Sequence, residues 1–253
     1  MVVHDCWNLW LCLVAKELKA KYKGMVLGYL WSLLLPLCQS LVFLVVFSHF
    51  LRFPLKDYFL FLSIGFVVWQ FFSNSIICGA NALINNSNLV KRTTCPRLIF
   101  IAACVGAEFV HLLASLPILL LFMVICGRTP VWNSVFAVIA GVFTLGLFAF
   151  GLAVYVALCN VFFRDLERLL QVILQIWFYV TPIFYSLEQI PEKYHHLFMF
   201  NPVYIPLKLF RFAFYTPENC GIEVLISILI GLAFGGSAIL VFMRGEKRIA
   251  EFL

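Results

Sequence analysis

The sequence predicts an all-α polytopic membrane protein, and three observations carry that prediction. Of its 253 residues 64% are hydrophobic and 17% aromatic but only 12% charged, and the mean hydropathy of +1.02 lies far above that of an average soluble domain. The apolar residues fall into six blocks, roughly 26–50, 58–80, 98–126, 134–160, 169–187 and 222–243. Each is long enough to cross about 30 Å of hydrocarbon at about 1.5 Å per residue, the fifth being the shortest. The cations are also segregated: four precede the first block, three lie in the 81–97 loop, two in the 161–168 loop and three in the tail. Those twelve face six on the other side, Arg52, Lys56, Arg128, Lys193, Lys208 and Arg211. Six spans put both termini on one side, and the positive-inside bias makes that side the cytoplasm.

The expected protein is a single transmembrane domain over 1–253 in the cell inner (cytoplasmic) membrane. Trp7 to Val14 precedes Lys16, Lys19, Lys21 and Lys23, the reverse of a secretory signal, so no cleaved leader is expected. The net charge of +6 reads as orientation and attraction to lipid head groups, with no nucleic-acid partner. The nine cysteines include no CxxC pair and lie mostly within apolar blocks, so they read as small buried hydrophobes without a metal site. On this topology only Cys126 and Cys220 face the oxidising side.

Residues 1–23 carry Trp7, Trp10, Leu11, Val14 and Leu18 at helical spacing before the Lys16–Lys23 basic run. That pattern predicts an amphipathic helix in the cytoplasmic interface. Gly24 and Gly28 release the chain into the first span, where Pro36 is tolerated because neighbouring helices satisfy the freed carbonyl. A tight external turn, 51–57, leads into the second span with Trp69, Gln70, Phe71 and Phe72.

The polar island 85–97 then interrupts the apolar runs. Its Asn/Ser entry, its basic pair Lys91-Arg92 with Arg97 beyond, and Pro96 allow one or two helical turns, capped at one end and broken at the other, lying flat at the cytoplasmic surface.

In the third span Glu108 and His111 share one helix face, within reach of each other or of a neighbouring helix. Charge at that depth is expensive, so both are expected to face protein or water. They read as a polar clasp between helices, with a proton relay as the alternative. Gly141, Gly146 and Gly151 in the fourth span, and Gly231 and Gly235 in the sixth, point to close helix packing. Asn160 to Arg168 forms a charged cytoplasmic connection, and Trp177 to Tyr185 packs five aromatics around Pro182.

The segment 188–217 is apolar yet broken by Pro191, Pro202, Pro206 and Pro217 and carries Glu188, Glu192, Lys193, His195, His196, Lys208 and Arg211. No single spanning helix fits that pattern. Short external re-entrant helices between spans five and six, covered by protein or water, do.

Taken together these stretches resemble the membrane subunit of ABC transporters of the type-2 permease family, in particular the branch that exports polysaccharides such as O-antigen, capsule and teichoic acid. The matching residues are Lys19-Ala-Lys21-Tyr22-Lys23-Gly24 through Trp31-Ser32 to Pro36, Asn88-Leu89-Val90-Lys91 with Pro96-Arg97, Asn160-Val-Phe-Phe-Arg164-Asp165, and Pro182-Ile-Phe-Tyr185 with Ile190-Pro191-Glu192-Lys193 and Asn201-Pro202. They occur in the family's order over nearly the whole chain. The resemblance implies a half-transporter that works as a homodimer with two copies of a separate cytoplasmic ATPase, on a lipid-linked glycan substrate. It also implies that 85–97 is the ATPase-coupling element, with Asn88, Leu89, Val90, Lys91, Arg92, Pro96 and Arg97 as its contact residues. The family branch further implies a channel of stacking contacts for sugar rings, for which Trp177, Tyr179 and Tyr185, with Tyr29 and Trp31 at the cytoplasmic mouth, are the expected lining.

No GxxxxGK[ST] phosphate loop occurs in the sequence, so the chain itself is expected to be no enzyme and to bind no cofactor, with ATP and Mg on the partner subunit. Three rival readings remain. A type-2 drug or lipid efflux permease shares the architecture. A gradient-driven carrier would show internal repeats and several buried charges. A membrane transferase would need a catalytic group, for which Glu188, Glu192, His195 and His196 are the nearest approach.

Overall fold

The computed structural model describes residues 2–25, 28, 30–50, 57–92, 95–129, 132–163, 165–215 and 221–252, and every regular element among them is helical. Tyr29, the turn at 51–56 and Cys220 lie outside the described residues. The chain runs through α1 (Val2–Tyr22), α2 (Leu30–Leu44), which continues as a wider π-helical turn over Val45–Phe50, α3 (Tyr58–Asn85) and the short α4 (Ser87–Arg92). It goes on through α5 (Leu98–Ile125), α6 (Trp132–Phe162) and α7 (Leu166–Val180) to two single 3₁₀ turns, then α8 (His195–Met199), α9 (Tyr204–Phe214) and α10 (Gly221–Phe252).

Among the described residues four helices are long and apolar enough to cross a membrane: α3, α5, and the stretches Val135–Phe162 of α6 and Val224–Gly245 of α10. The first expected span is the shorter apolar stretch Leu34–Phe47 of α2 and its π-helical continuation. The fifth is α7, whose 15 residues reach about 22 Å, short of a bilayer core of about 30 Å. Thr181 precedes Pro182, whose ring pushes it out of the helical region to φ −77° and ψ 134°, and α7 stops there. The rest of that apolar block, 181–186, folds back irregularly and seats Ile183 against Gly65 of α3, where an added Cβ would lie 2.8 Å from the Ile183 side chain.

The bundle is organised around α3. Its apolar window is 78% buried against neighbours, whereas that of α10 is 22% buried and leaves Leu225, Leu229, Leu240 and Met243 on an outer face. Small residues let backbones close on one another: a Cβ at Gly79 of α3 would meet that of Ala153 in α6 at 2.6 Å, and one at Gly151 would meet the Phe234 ring of α10 at 2.7 Å. Gly231 and Gly235 accommodate Leu147, and Gly141 lies under Phe210 of α9, while Gly146 has open space beside it. Asn160 closes one end of the α3–α6 contact, its amide donating to the Ala80 carbonyl at 2.9 Å and to Asn81 Oδ1 at 3.0 Å.

At the opposite end the proline-broken segment is held by amide chemistry. Buried Asn201 accepts from Trp177 Nε1 at 3.2 Å and from the Val203 N–H at 3.0 Å, and its own amide donates to Thr181 Oγ1 at 3.0 Å. One side chain thereby satisfies the end of α7, the first turn of α9 and the Trp177 indole. Beside it the Tyr58 hydroxyl donates to the Phe184 carbonyl at 2.7 Å, and Arg128 pairs with Asp57 at 2.8 Å while stacking over the Tyr215 ring.

Replacing Asn201 by Leu strands the Trp177 indole N–H and the Val203 N–H, while the Thr181 hydroxyl keeps the Trp177 carbonyl at 2.9 Å. Thermal unfolding of the detergent-purified protein is expected to show a loss of at least about 2 kcal/mol, since each buried group left without a partner costs about 1–3 kcal/mol, while Pro202→Ala is expected to cost far less.

Candidate functional site

The polar island folds as the loop chemistry dictates. Asn86 ends α3 with its amide on the Ala82 carbonyl at 2.8 Å, and its own carbonyl accepts the N–H groups of Leu89 and Val90, both at 2.9 Å, starting α4. The six-residue helix is two-sided: Val90 is 2% exposed and turned into the core, whereas Leu89 is 46% exposed beside exposed Asn88, Lys91 and Arg92. Thr93 and Thr94 lie outside the described residues; Pro96 is exposed, and the carbonyls of Pro96 and Arg97 start α5. Of the two apolar residues expected to contact a partner, Leu89 is the one presented. Which residue of so short a helix faces inward is fixed by what α3 and α5 leave uncovered, and no periodicity reports it.

The interface helix α1 does not lie alone at the surface. Leu13 and Val14 are buried, and Trp10 and Val14 press on α5 at Gly106, where a Cβ would sit 2.8 Å from the indole; Trp7 and Leu11 stay exposed. Lys16 hydrogen-bonds the Asn86 side chain at the start of α4, and Cys6 is joined by a disulfide to Cys95 across 89 residues of sequence. The expectation that the cysteines are inert apolar fillers fails for this pair, because scatter along the sequence says nothing of proximity in the fold.

One turn further along, Lys21 pairs with Glu108 of α5 at 2.7 and 3.0 Å, Asn74 of α3 donates to the same carboxylate at 3.4 Å, and the Tyr22 hydroxyl meets the His111 ring at 3.0 Å. Glu108 is 5% exposed and His111 8%. Glu108 and His111 thus bond to the interface helix, and the carboxylate has a counter-ion. Lys21, Asn74, Glu108 and His111 wall a cavity of about 270 Å³ together with Glu17 and Cys78. Glu17, Cys78 and Cys104, one from each of α1, α3 and α5, have ligand atoms within 4.8 Å of one another, a set suited to a soft cation, with Lys16 competing for the carboxylate at 3.2 Å.

Adjoining this cluster through Gln70 and Asn74, a groove of about 320 Å³ opens between α2, α3 and α7. Its walls mix the rings of Phe66, Trp69 and Phe178 with the amides of Gln39, Gln70 and Gln175. Aromatic faces pack on apolar C–H surfaces, and amides both donate and accept, so the groove suits a polyhydroxylated chain better than a purely apolar one.

The rings expected from sequence fall differently. Trp177 is tied to Asn201 and stands edge-on to Phe72 at 5.4 Å, inside the protomer. Tyr179 and Trp31 are exposed, and Tyr185 folds back with its hydroxyl on the Val180 carbonyl at 3.0 Å. Burial pushes the Tyr185 and Tyr215 phenols above their ordinary value, opposed at Tyr185 by Arg211 and at Tyr215 first by Arg128. Of the groove amides only Gln70 stands out in the sequence reading, yet the sequence carries a further signal: Gln70, Ser73, Asn74 and Asn81 recur on one face of an otherwise apolar span.

A helical bundle with a polar groove at membrane depth and a charged short helix at its mouth is the architecture of a permease. The ABC-2 type transporter family matches residues 8–215, and this chain belongs to that family, whose members are permease subunits without an ATPase site of their own. Over 251 residues, 98% of this chain and 95% of the relative, it is 30% identical to an O-antigen export system permease protein RfbA of Klebsiella pneumoniae. It is 28% identical to a protein of that name from Myxococcus xanthus over 244 residues, 94% of each. It is 22% identical to the polysialic acid transport protein KpsM of Escherichia coli over 231 residues, 87% of this chain and 90% of the relative.

Lys21→Met removes the counter-ion from a nearly buried carboxylate. The expected cost is about 1–2 kcal/mol, allowing for the water that reaches the lysine head. Adding Glu108→Gln is expected to recover most of it. A double-mutant cycle by thermal unfolding checks this, and additive effects would mean the pair is not coupled.

Proposed function

We infer that this chain is the permease subunit of an ATP-driven exporter that moves a lipid-linked polysaccharide across the cytoplasmic membrane. It acts as a homodimer, with two copies of a cytoplasmic ABC ATPase docked at α4 and with both termini in the cytoplasm. Family membership and the names of the relatives support the substrate class; the single structural observation that carries it is the groove in which Phe66, Trp69 and Phe178 alternate with the amides of Gln39, Gln70 and Gln175. An exporter of apolar drugs or lipids has no use for a row of amides at that depth. A proton-driven carrier is disfavoured because Glu108 is paired with Lys21 and His111 is engaged by Tyr22. The transferase reading loses its nearest candidate, since His195 Nε2 is spent on the Ile190 carbonyl at 2.9 Å.

Coupling through α4 rests on the outward set of Leu89, Lys91 and Arg92, an apolar anchor flanked by cations. Leu89→Asp is expected to leave the permease folded and inserted while co-purification of the ATPase falls at least tenfold and export stops. Val90→Asp is expected to fail earlier, at folding. Normal export by Leu89→Asp would remove α4 from the docking surface.

The groove is expected to bind by many weak contacts. Gln70→Leu, Gln175→Leu and Phe178→Leu should each slow glycan export by single-digit factors if each contributes on the order of 1 kcal/mol. The triple variant should lose most export while keeping basal ATP hydrolysis in the assembled complex. Export at the wild-type rate by the triple variant would exclude the groove from the path.

A further inference from the structure

At the end of the bundle opposite α4, the broken segment encloses a cavity of about 470 Å³ between Phe61 of α3, the 182–188 stretch and α9. Arg211 of α9 is its deepest cation. Its guanidinium carbon lies 3.6 Å from the centre of the Phe61 ring, and Nη2 donates to the Ile183 carbonyl at 2.9 Å. Its Nε is sealed from solvent and has no acceptor. No carboxylate among the described residues lies within ion-pairing distance of Arg211, and Asp57 at the same end of the bundle is already held by Arg128. A second sealed polar atom, Ser186 Oγ, lines the same cavity; it faces the Gln189 N–H as an acceptor in a capping box, and its own hydroxyl proton has no acceptor. Lys208, His195 and the exposed Glu188 line the cavity too.

A guanidinium packed against a ring, with a buried donor unanswered and no counter-ion among the described residues, carries a desolvation cost that those residues do not offset. An oxyanion offsets it. Two sealed groups able to donate, Arg211 Nε and Ser186 Oγ, with Lys208 on the rim, match the several acceptor oxygens of a phosphate better than a carboxylate's two. The cavity falls in the size range of small-molecule sites, about 300–1,000 Å³, so it has room for an ester substituent as well as the phosphate.

We propose that the cavity of Arg211, Ser186 and Lys208 is a binding site for a phosphate ester, supplied either by a lipid head group or by a phosphorylated sugar. The site lies away from the groove between α2, α3 and α7 and holds whatever the exporter's cargo, so its failure would leave the export reading untouched.

The test is thermal unfolding of the detergent-purified full chain titrated with dihexanoyl-phosphatidylglycerol and, separately, with glucose 1-phosphate. Sodium chloride at equal ionic strength and glucose serve as blanks. Wild-type protein is expected to show saturable protection by at least one ester. Ser186→Ala is expected to weaken it roughly tenfold, as loss of a hydrogen bond to a charged group does. Arg211→Gln should abolish it, and Lys193→Gln, outside the cavity, should leave it unchanged. Protection by the lipid ester alone supports the site with a head group as its ligand, protection by the sugar phosphate alone supports it with a glycan phosphate, and protection by both supports recognition of the phosphate itself. No protection beyond the blanks overturns the proposal, and so does unchanged affinity in Ser186→Ala, a variant small enough to fold even if Arg211→Gln does not.

Discussion

The ion pair between Lys21 and Glu108 is the constraint on which the arrangement of the half that carries α1 and α4 depends. A carboxylate only 5% exposed among apolar helices is tolerable only with a cation at hand, and the cation comes from the basic end of α1. Once Lys21 is anchored, the rest of α1 has little freedom. Trp10 and Val14 land on Gly106, Lys16 arrives at Asn86, and Cys6 reaches Cys95. The interface helix is therefore fastened to both ends of the polar island and to the wall of the membrane cavity, so the surface loop and the interior form one mechanical unit.

The opposite half is held by neutral chemistry. Pro191 and Pro202 divide the described part of this segment into short pieces that do not satisfy their own backbones, and Asn201 supplies missing partners from a single amide. The two halves thus solve the same problem, polar groups in apolar surroundings, by different means. The ionic solution is strong and long-reaching, while the amide solution is local and geometrically exacting.

Much of this was legible in the sequence. The apolar blocks gave the helices, the polar island gave α4, and the prolines gave the broken segment, because each is a local property of composition and spacing. The length of α7 was legible too, since Thr181-Pro182 dictates its end, though hydropathy alone overran it. Contacts were not. Val90 facing inward, Cys6 meeting Cys95, and Gln39 and Gln175 converging on Gln70 all join residues distant in the chain, and one amphipathic pattern is compatible with several rotations of a helix about its axis. Trp177 shows the same limit from the other side: its neighbours in sequence are channel-like rings, while its partners in space make it a strut.

The two-sidedness of α4 bears on how force crosses this protein. A docking peptide on a flexible tether would absorb a partner's movement, but adjacent residues that point in opposite directions, Leu89 outward and Val90 into the core, behave as a gear tooth with its root in the bundle. Any displacement imposed on the outward residue is delivered within one residue to the packed base of α3 and α5, with no slack to take up. With α4 as the docking surface proposed above, the stroke of the partner would be limited by the stiffness of that root, and a cavity made beneath Val90 would act as backlash, letting fuel be consumed without cargo being advanced.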